Sequence, residues 1–205
     1  MLIPEAERTR LAQQLGAIRD ERVKTAMLSV PRHLFVGQAL RERAYDDSPL
    51  EIGRGQTISQ PLMVATLLEA AELERSDRVL DVGAGSGYQA AVLSKLVLEV
   101  DAIEIEPELL ELCRRNLDTA GIVNVRPRLA NARTLTELDG RYQAVLVAAA
   151  ASRVPEVFKR ALAIGGRLVI PIGPPDLQIL ERWRRTAEGF ECTQLGACRF
   201  VPLVG

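Results

Sequence analysis

Hydrophobic positions in the first third of the chain follow two patterns. Residues 5–30 carry apolar side chains at the three- and four-residue spacing of amphipathic helices, and Pro31 ends that segment. Residues 31–60 show no clear period and contain several glycines and prolines. This second stretch is therefore predicted to be an ordered loop region, long enough to carry a function.

A further helix is expected from Ser59 or Pro61 to Leu73. Serine two positions before a proline fits a helix N-terminus, so one interpretation of Ser59 is simply the cap of this helix.

From residue 78 onward, short apolar runs alternate with amphipathic segments. Strands are predicted at 78–82, 99–105, 123–129, 142–147 and 166–172, and helices at 86–97, 107–120 and 154–163. Two final strands, at 177–184 and 193–201, are expected to form an antiparallel pair. The alternation predicts an α/β fold with a doubly wound, mostly parallel sheet, helices on both of its faces and an N-terminal helical extension.

Composition narrows the class of protein. The chain has 205 residues, of which 47% are hydrophobic and 26% charged, as in a globular domain. A net charge of −1 predicts no broad basic face for nucleic acid. No apolar run reaches the length of a membrane span, and the polar N-terminus lacks the core of a signal peptide, so we expect a cytoplasmic protein that does not engage membranes.

Cysteine and histidine usage excludes two kinds of site. The three cysteines are odd in number and lack zinc-binding spacing, which predicts free thiols in a reducing compartment. A single histidine excludes a histidine-rich metal site, and no metal site is expected.

The segment around residue 80 carries the first chemical motif. A β-branched and leucine-rich run ends at Asp81, and Gly83, Gly85 and Gly87 follow before a helical pattern begins. Glycines in such a strand–turn–helix unit let a ligand approach the backbone, and the helix start leaves N–H groups free. The turn therefore predicts binding of a nucleotide-like cofactor.

Two cofactors fit this turn. Gly85 to Ala90 matches the G-x-G-x-x-G/A pattern of dinucleotide-binding proteins. Asp81 with the three alternating glycines matches instead the turn of S-adenosylmethionine-dependent methyltransferases. Under either interpretation Glu104, at the end of the next strand, would accept hydrogen bonds from the ribose hydroxyls, since a carboxylate suits a neutral diol and repels a phosphate.

A second motif lies at residues 52–61, ahead of the first nucleotide-binding strand, where a hydride-transfer enzyme gives no reason for it. This segment, which contains GQTISQP, resembles the protein-L-isoaspartate O-methyltransferase family. The resemblance extends over nearly the whole chain through a set of pieces in the family's order: VPR (30–32), FV (35–36), AY (44–45), residues 78–89, AAA (148–150), GGRLVIPIG (165–173) and RFVPL (199–203).

The resemblance implies a single class I methyltransferase domain over residues 1–205. Residues 1–60 would form the helical extension and substrate loop, and residues 61–205 the core that binds S-adenosylmethionine. The implied reaction moves the methyl group of this cofactor onto the free α-carboxylate of isoaspartyl residues in damaged proteins and peptides. The ester then closes to a succinimide, and hydrolysis returns part of it to aspartate. We expect a monomer.

Two further functions remain open from the sequence. A diverged relative could methylate another carboxylate on one dedicated peptide, and a non-catalytic relative could bind S-adenosylmethionine without transferring its methyl group. Cofactor affinity and the breadth of accepted peptides would separate these three functions.

The resemblance assigns the active-site serine to Ser59. A carboxylate has an ordinary pKa of about 4 and is anionic at neutral pH, so it needs no general base. Hydroxyl groups can hold such a nucleophile without neutralising it, and Thr57 and Ser59 are therefore the candidate catalytic residues. The candidate cofactor ligands are Asp81, Gly83, Gly85, Gly87, Glu104, Asn131 and Ala132.

The segment after the predicted strand at 123–129 departs from the family pattern. After the strand at 123–129 the family usually has Gly-Asp-Gly, whereas this chain has Ala130-Asn131-Ala132. The family aspartate receives the adenine amino group. Asn131 can accept the same hydrogen bond through its side-chain oxygen but without charge assistance, which predicts weaker adenosine binding.

Overall fold

The N-terminal region consists of two helices, not one. In the computed structural model, which describes residues 2–132, 134–135 and 138–204, α1 spans Glu5–Gln14 and α2 spans Glu21–Ser29. The Asp20 side chain accepts a hydrogen bond from the Arg22 N–H at 2.8 Å and caps the second helix. The segment has the expected helical spacing of apolar residues, but it forms two helices because Asp20 caps the start of the second.

A β-hairpin lies within the region predicted to be a loop. Strand β1 (Leu50–Gly53) pairs antiparallel with β2 (Gln56–Ile58), and Arg54 and Gly55 form the turn between them. The loop prediction is wrong for these residues because strands this short show no readable alternation. The hairpin places Thr57 on a regular strand.

Helix α3 spans Pro61–Ala70 and does not use Ser59 as its cap. Gln60 occupies the N-cap position without a side-chain capping bond, and Asp47 Oδ1 accepts from the Leu62 N–H at 3.0 Å. The interpretation of Ser59 as a helix cap is therefore wrong. The first-turn N–H group is satisfied by a side chain from a distant segment, which leaves the Ser59 hydroxyl free for another role.

Seven strands form the central sheet in the order β5-β4-β3-β6-β7-β8-β9. Their bounds are β3 Arg78–Val82, β4 Glu99–Glu104, β5 Val125–Leu129, β6 Tyr142–Val147, β7 Leu162–Ile172, β8 Gln178–Arg185 and β9 Phe190–Cys198. The pairs from β5 through β7 are parallel, while β8 and β9 are antiparallel to their neighbours. The predicted mostly parallel sheet with an antiparallel pair at its end is confirmed.

Three more helices cover this sheet: α4 (Tyr88–Leu93), α5 (Pro107–Thr119) and α6 (Glu156–Ala161). Alternate strand residues point to opposite faces. Val79 packs with α1 to α5 in the larger hydrophobic core, whereas Leu80 packs with α6 in the smaller one. Among the described residues, no helix has the length and apolar character needed to cross a bilayer.

The sheet reverses its order between β3 and β6. The chain runs from β3 outward through β4 to β5 and then returns to add β6 and β7 on the other side. A crevice forms at the carboxyl ends of strands where such a reversal occurs, and it is the usual ligand site of open α/β sheets. All of the predicted cofactor residues lie in segments near this edge.

Candidate active site

A cleft opens at the carboxyl ends of β3, β4 and β6. Its floor is formed by the glycine turn after β3 and by Glu104 at the end of β4. The β1–β2 hairpin contributes Thr57, and the C-terminal segment closes the cleft with Val201 and Leu203. Segments that are far apart in sequence therefore meet at one cavity.

The glycines of the turn have different surroundings. Gly83 and Gly85 line the cleft, and a Cβ added to Gly85, whose φ is 53°, would lie 3.1 Å from Ile52 Cδ1 of the hairpin. A Cβ on Gly87, whose φ is 86°, would lie 2.9 Å from Cys113 Sγ of α5. Gly87 thus lets α5 pack closely against the turn and is not a lining residue of the cleft.

Glu104 is held by three backbone N–H groups. Its Oε2 accepts from Gly85 N at 2.8 Å, and its Oε1 accepts from Ile105 N at 2.8 Å and Glu106 N at 3.1 Å. An ionised carboxylate offers about four acceptor positions, so Oε2 retains capacity for one hydroxyl donor from the cleft. The glycine turn and the predicted ribose ligand are therefore one hydrogen-bonded unit.

Asp81 lies behind the turn, not on the cleft surface. Its side chain is fully buried in β3, where Oδ1 accepts from Gln89 Nε2 at 2.7 Å and Oδ2 has no partner among the described residues. Burial raises the pKa of this carboxyl to about 7, the Gln89 bond opposes that shift, and the charge of Glu104 adds to it. A direct contact between Asp81 and a cofactor stays a prediction.

This raised pKa predicts a pH-dependent stability. The unfolded carboxyl titrates at about 4, so between about pH 4 and about pH 7 the native protein holds a proton that the unfolded chain has lost. The contribution of Asp81 is therefore most favourable below pH 4 and is lost as the pH rises through 7. Asp81→Asn should raise the free energy of unfolding more at pH 8 than at pH 5, measured by urea denaturation. An equal effect at both pH values would contradict the assignment.

The segment after β5 reaches the cleft through its alanines. Ala130 and Ala132 line the cavity on either side of Asn131, which is half-buried. Ala130 N donates to the Glu104 carbonyl at 2.9 Å, so this segment continues the β4–β5 pairing past the strand end. The predicted pair Asn131 and Ala132 thus lies at the same edge as Glu104.

Thr57 and Ser59 stand between the cleft and a second cavity. Together with Ala148, Val201 and Pro202, they line both. Neither hydroxyl forms a hydrogen bond with another described residue. Two free hydroxyl groups at the junction can receive an anionic group that enters from the second cavity and faces the first.

The second cavity is an open groove beside the cleft. Its walls come from the β7–β8 loop, with Pro175, and from the C-terminal segment, with Arg199 and Phe200. Fully buried Gln178 joins the walls: Nε2 donates to the Pro174 carbonyl at 2.7 Å, and Oε1 accepts from Phe200 N at 2.8 Å. A glutamine in a predicted strand gave no signal of this role, because its partners lie in two separate loops.

The C-terminal segment is also fixed from the side of β6. Ala150 N donates to the Val201 carbonyl at 2.8 Å, and Leu203 N donates to the Ala150 carbonyl at 2.7 Å. These bonds make a short parallel bridge between the residues after β6 and the RFVPL segment. The two segments therefore form one wall shared by the cleft and the groove.

Known proteins are similar to this chain over nearly its whole length. Residues 7–205 match the family described as protein-L-isoaspartate(D-aspartate) O-methyltransferase. A protein-L-isoaspartate O-methyltransferase of Syntrophotalea carbinolica is 45% identical over 203 residues, which cover 98% of this chain and 94% of that protein. A Rhodopseudomonas palustris protein named protein-L-isoaspartate O-methyltransferase 1 is 45% identical over 205 residues, covering 98% of this chain and 84% of its own length.

A solved structure has the same architecture. It is a Plasmodium falciparum protein, described as a protein-L-isoaspartate O-methyltransferase, in complex with S-adenosyl-L-homocysteine. It superimposes with a TM-score of 0.85 at 28% identity and covers 97% of this chain and 98% of its own. The similarity thus includes the N-terminal helices and hairpin as well as the central sheet.

Proposed function

Because this chain belongs to the protein-L-isoaspartate O-methyltransferase family, we propose that it transfers a methyl group from S-adenosylmethionine to the free α-carboxylate of L-isoaspartyl residues in damaged proteins and peptides. The methyl ester then closes to a succinimide with loss of methanol, and hydrolysis gives aspartate in part. The observation that supports this function most directly is the pair of free hydroxyls, Thr57 and Ser59, at the junction of cleft and groove.

The cleft has the polar groups that S-adenosylmethionine requires. Glu104 retains an acceptor position for a ribose hydroxyl, and Gly85 leaves open the space that a Cβ would fill beside Ile52. Asn131 and Ala132 follow the neighbouring strand at the same edge, where the adenine would lie. The bound cofactor supplies a sulfonium methyl group that an anionic oxygen can attack.

The substrate side needs positioning and no proton transfer. The isoaspartyl carboxylate is already ionised at neutral pH. We assign Thr57 and Ser59 to hold it, since each hydroxyl can donate one hydrogen bond while the remaining lone pairs of the carboxylate stay available. Ala148, Val201 and Pro202 surround the junction with apolar groups, which would exclude water from the nucleophile.

The setting of this activity is part of the proposal. We place the protein in the cytoplasm, acting as a monomer on aged proteins and not on nucleic acid. Free thiols at Cys113, Cys192 and Cys198 support a reducing compartment.

The departure at Asn131 gives a prediction for cofactor affinity. Asn131→Asp should tighten binding of S-adenosyl-L-homocysteine by roughly 0.5–1.5 kcal/mol, because the acceptor facing the adenine amino group becomes charged. Isothermal titration calorimetry measures this change. Asn131→Ala is the control and should weaken binding. Weaker binding by Asn131→Asp would show that the adenine contact does not lie at this residue.

A repair assay tests the proposed function. An isoaspartyl peptide is incubated with the protein and S-adenosylmethionine, and the isoaspartyl, succinimide and aspartyl forms are separated by chromatography. We expect the isoaspartyl form to fall and the other two to rise only when the methyl donor is present. A set of unrelated isoaspartyl sequences should all be converted. Conversion of one sequence alone would favour a dedicated substrate, and no conversion despite cofactor binding would indicate a non-catalytic relative.

A further inference from the structure

Among its described lining residues, the groove has a single charged side chain. The described residues around it include Pro49, Met63, Pro175 and Phe200, which are apolar, and the hydroxyls of Thr57 and Ser59. Arg199 is the one ionisable side chain among the described residues that line this groove. It is also exposed, so its charge faces the solution from which a peptide would enter.

Arg199 differs from the arginines of the neighbouring strand. Arg182 and Arg184 of β8 both pair with Glu72, and Arg185 donates to the Leu162 carbonyl. In the part of the chain that the structure describes, the Arg199 guanidinium has no ion pair and no hydrogen bond. An arginine presents five N–H donors in a planar fork suited to carboxylates, and none of the five from Arg199 bonds to another described residue.

The backbone that carries Arg199 is nevertheless fixed. The next residue, Phe200, donates its N–H to Gln178 Oε1 at 2.8 Å, and the Val201 carbonyl accepts from Ala150 N at 2.8 Å. Gln178 is fully buried and also holds the opposite wall at Pro174 and Pro175. The Arg199 guanidinium is therefore attached to a segment whose backbone is hydrogen-bonded to both walls of the groove.

Position separates Arg199 from the reacting carboxylate. Thr57 and Ser59 line both cavities, whereas Arg199 lines the groove alone. A guanidinium pair on the isoaspartyl carboxylate would also withdraw charge from the nucleophile. Arg199 is therefore placed to meet a second anion of a bound peptide and not the reacting carboxylate.

We propose that Arg199 is a specificity residue that selects isoaspartyl peptides carrying a carboxylate side chain next to the isoaspartyl residue. The inference rests on the proposed function. An exposed pair of this kind changes affinity modestly, so we expect kcat/KM to be about three- to tenfold higher for a glutamate neighbour than for a lysine neighbour, with glutamine between them. The difference should lie in KM and should shrink as salt is added.

The test uses isoaspartyl peptides that differ only in one neighbouring residue, which is Glu, Gln or Lys, placed before or after the isoaspartyl position. Arg199→Gln should abolish the ranking, and Arg199→Glu should reverse it, with kcat nearly unchanged. Arg182→Gln is the control and should keep the ranking, because its charge is paired with Glu72 away from the groove. Equal kcat/KM values for all peptides, or a ranking that survives Arg199→Gln, would overturn the inference and leave the methylation standing. Absence of transfer to every peptide would overturn both.

Discussion

Ser59→Ala should lower kcat for methyl transfer to an isoaspartyl peptide by about 10- to 150-fold while leaving the affinity for S-adenosyl-L-homocysteine nearly unchanged. Loss of one hydrogen bond to a charged group costs about 1.5–3 kcal/mol. If the bond is made mainly in the transition state, the whole of this cost raises the activation barrier and lowers kcat. Ser59 lies at the junction of cleft and groove, where its hydroxyl has no partner among the described residues. Steady-state kinetics and calorimetry on the same preparation measure both quantities.

Stability distinguishes this role from a structural one. Asp47, and not Ser59, accepts a hydrogen bond from the Leu62 N–H in the first turn of α3. Removal of the Ser59 hydroxyl should therefore change the free energy of unfolding by less than about 0.5 kcal/mol. Thr57→Ser is a matched control on the adjacent strand, because it keeps the hydroxyl and should retain most of the activity. Full turnover by Ser59→Ala, with or without a loss of stability, would remove Ser59 from the catalytic machinery.

Glu104→Gln should weaken binding of S-adenosyl-L-homocysteine by about 1.5–3 kcal/mol. The native carboxylate accepts from three backbone N–H groups, two of them on one oxygen, and keeps one acceptor position for the ribose. A glutamine amide has one oxygen, so its NH₂ group would face either a backbone N–H or the ribose hydroxyl. Both arrangements lose a charge-assisted hydrogen bond. Calorimetric titration of the folded variant measures the loss.

Glu108→Gln is the control for this measurement. Glu108 lies in the first turn of α5, the helix that follows β4, and pairs at the surface with Arg54 of the hairpin. The two substitutions remove the same charge, but only the first removes it from the cleft, so Glu108→Gln should leave the affinity nearly unchanged. Equal affinities for wild type and Glu104→Gln would show that Glu104 is not the ribose ligand.

Local sequence patterns predicted most of the α/β part of the fold, from residue 78 onward. The alternation after residue 78, the three glycines and the acid at the end of β4 belong to one strand–turn–helix–strand unit, in which sequence neighbours remain spatial neighbours. The family and its methyl donor could be identified because GQTISQP and RFVPL are specific motifs. Both motifs contribute residues to the cleft.

The remaining features depend on contacts between distant segments. Asp47 caps α3 from a loop, so the nearest serine was a reasonable but wrong choice of cap. Gln178 forms hydrogen bonds with two loops that are separate in sequence. Gly87 lies in close contact with Cys113, which belongs to another helix. The hairpin at 50–58 was too short to show alternation. Asp81 belongs with the glycine motif in sequence, yet its carboxyl is buried behind the turn.

The central claim is methyl transfer to the isoaspartyl α-carboxylate, and transfer of labelled methyl from S-adenosylmethionine to paired peptides tests it most directly. The two peptides share one sequence and differ only in whether the aspartate is linked through its side-chain or its backbone carboxyl. We predict base-labile label on the isoaspartyl peptide and none above background on the aspartyl peptide. Equal labelling of both peptides, or labelling of neither by protein that binds the cofactor, would contradict the account.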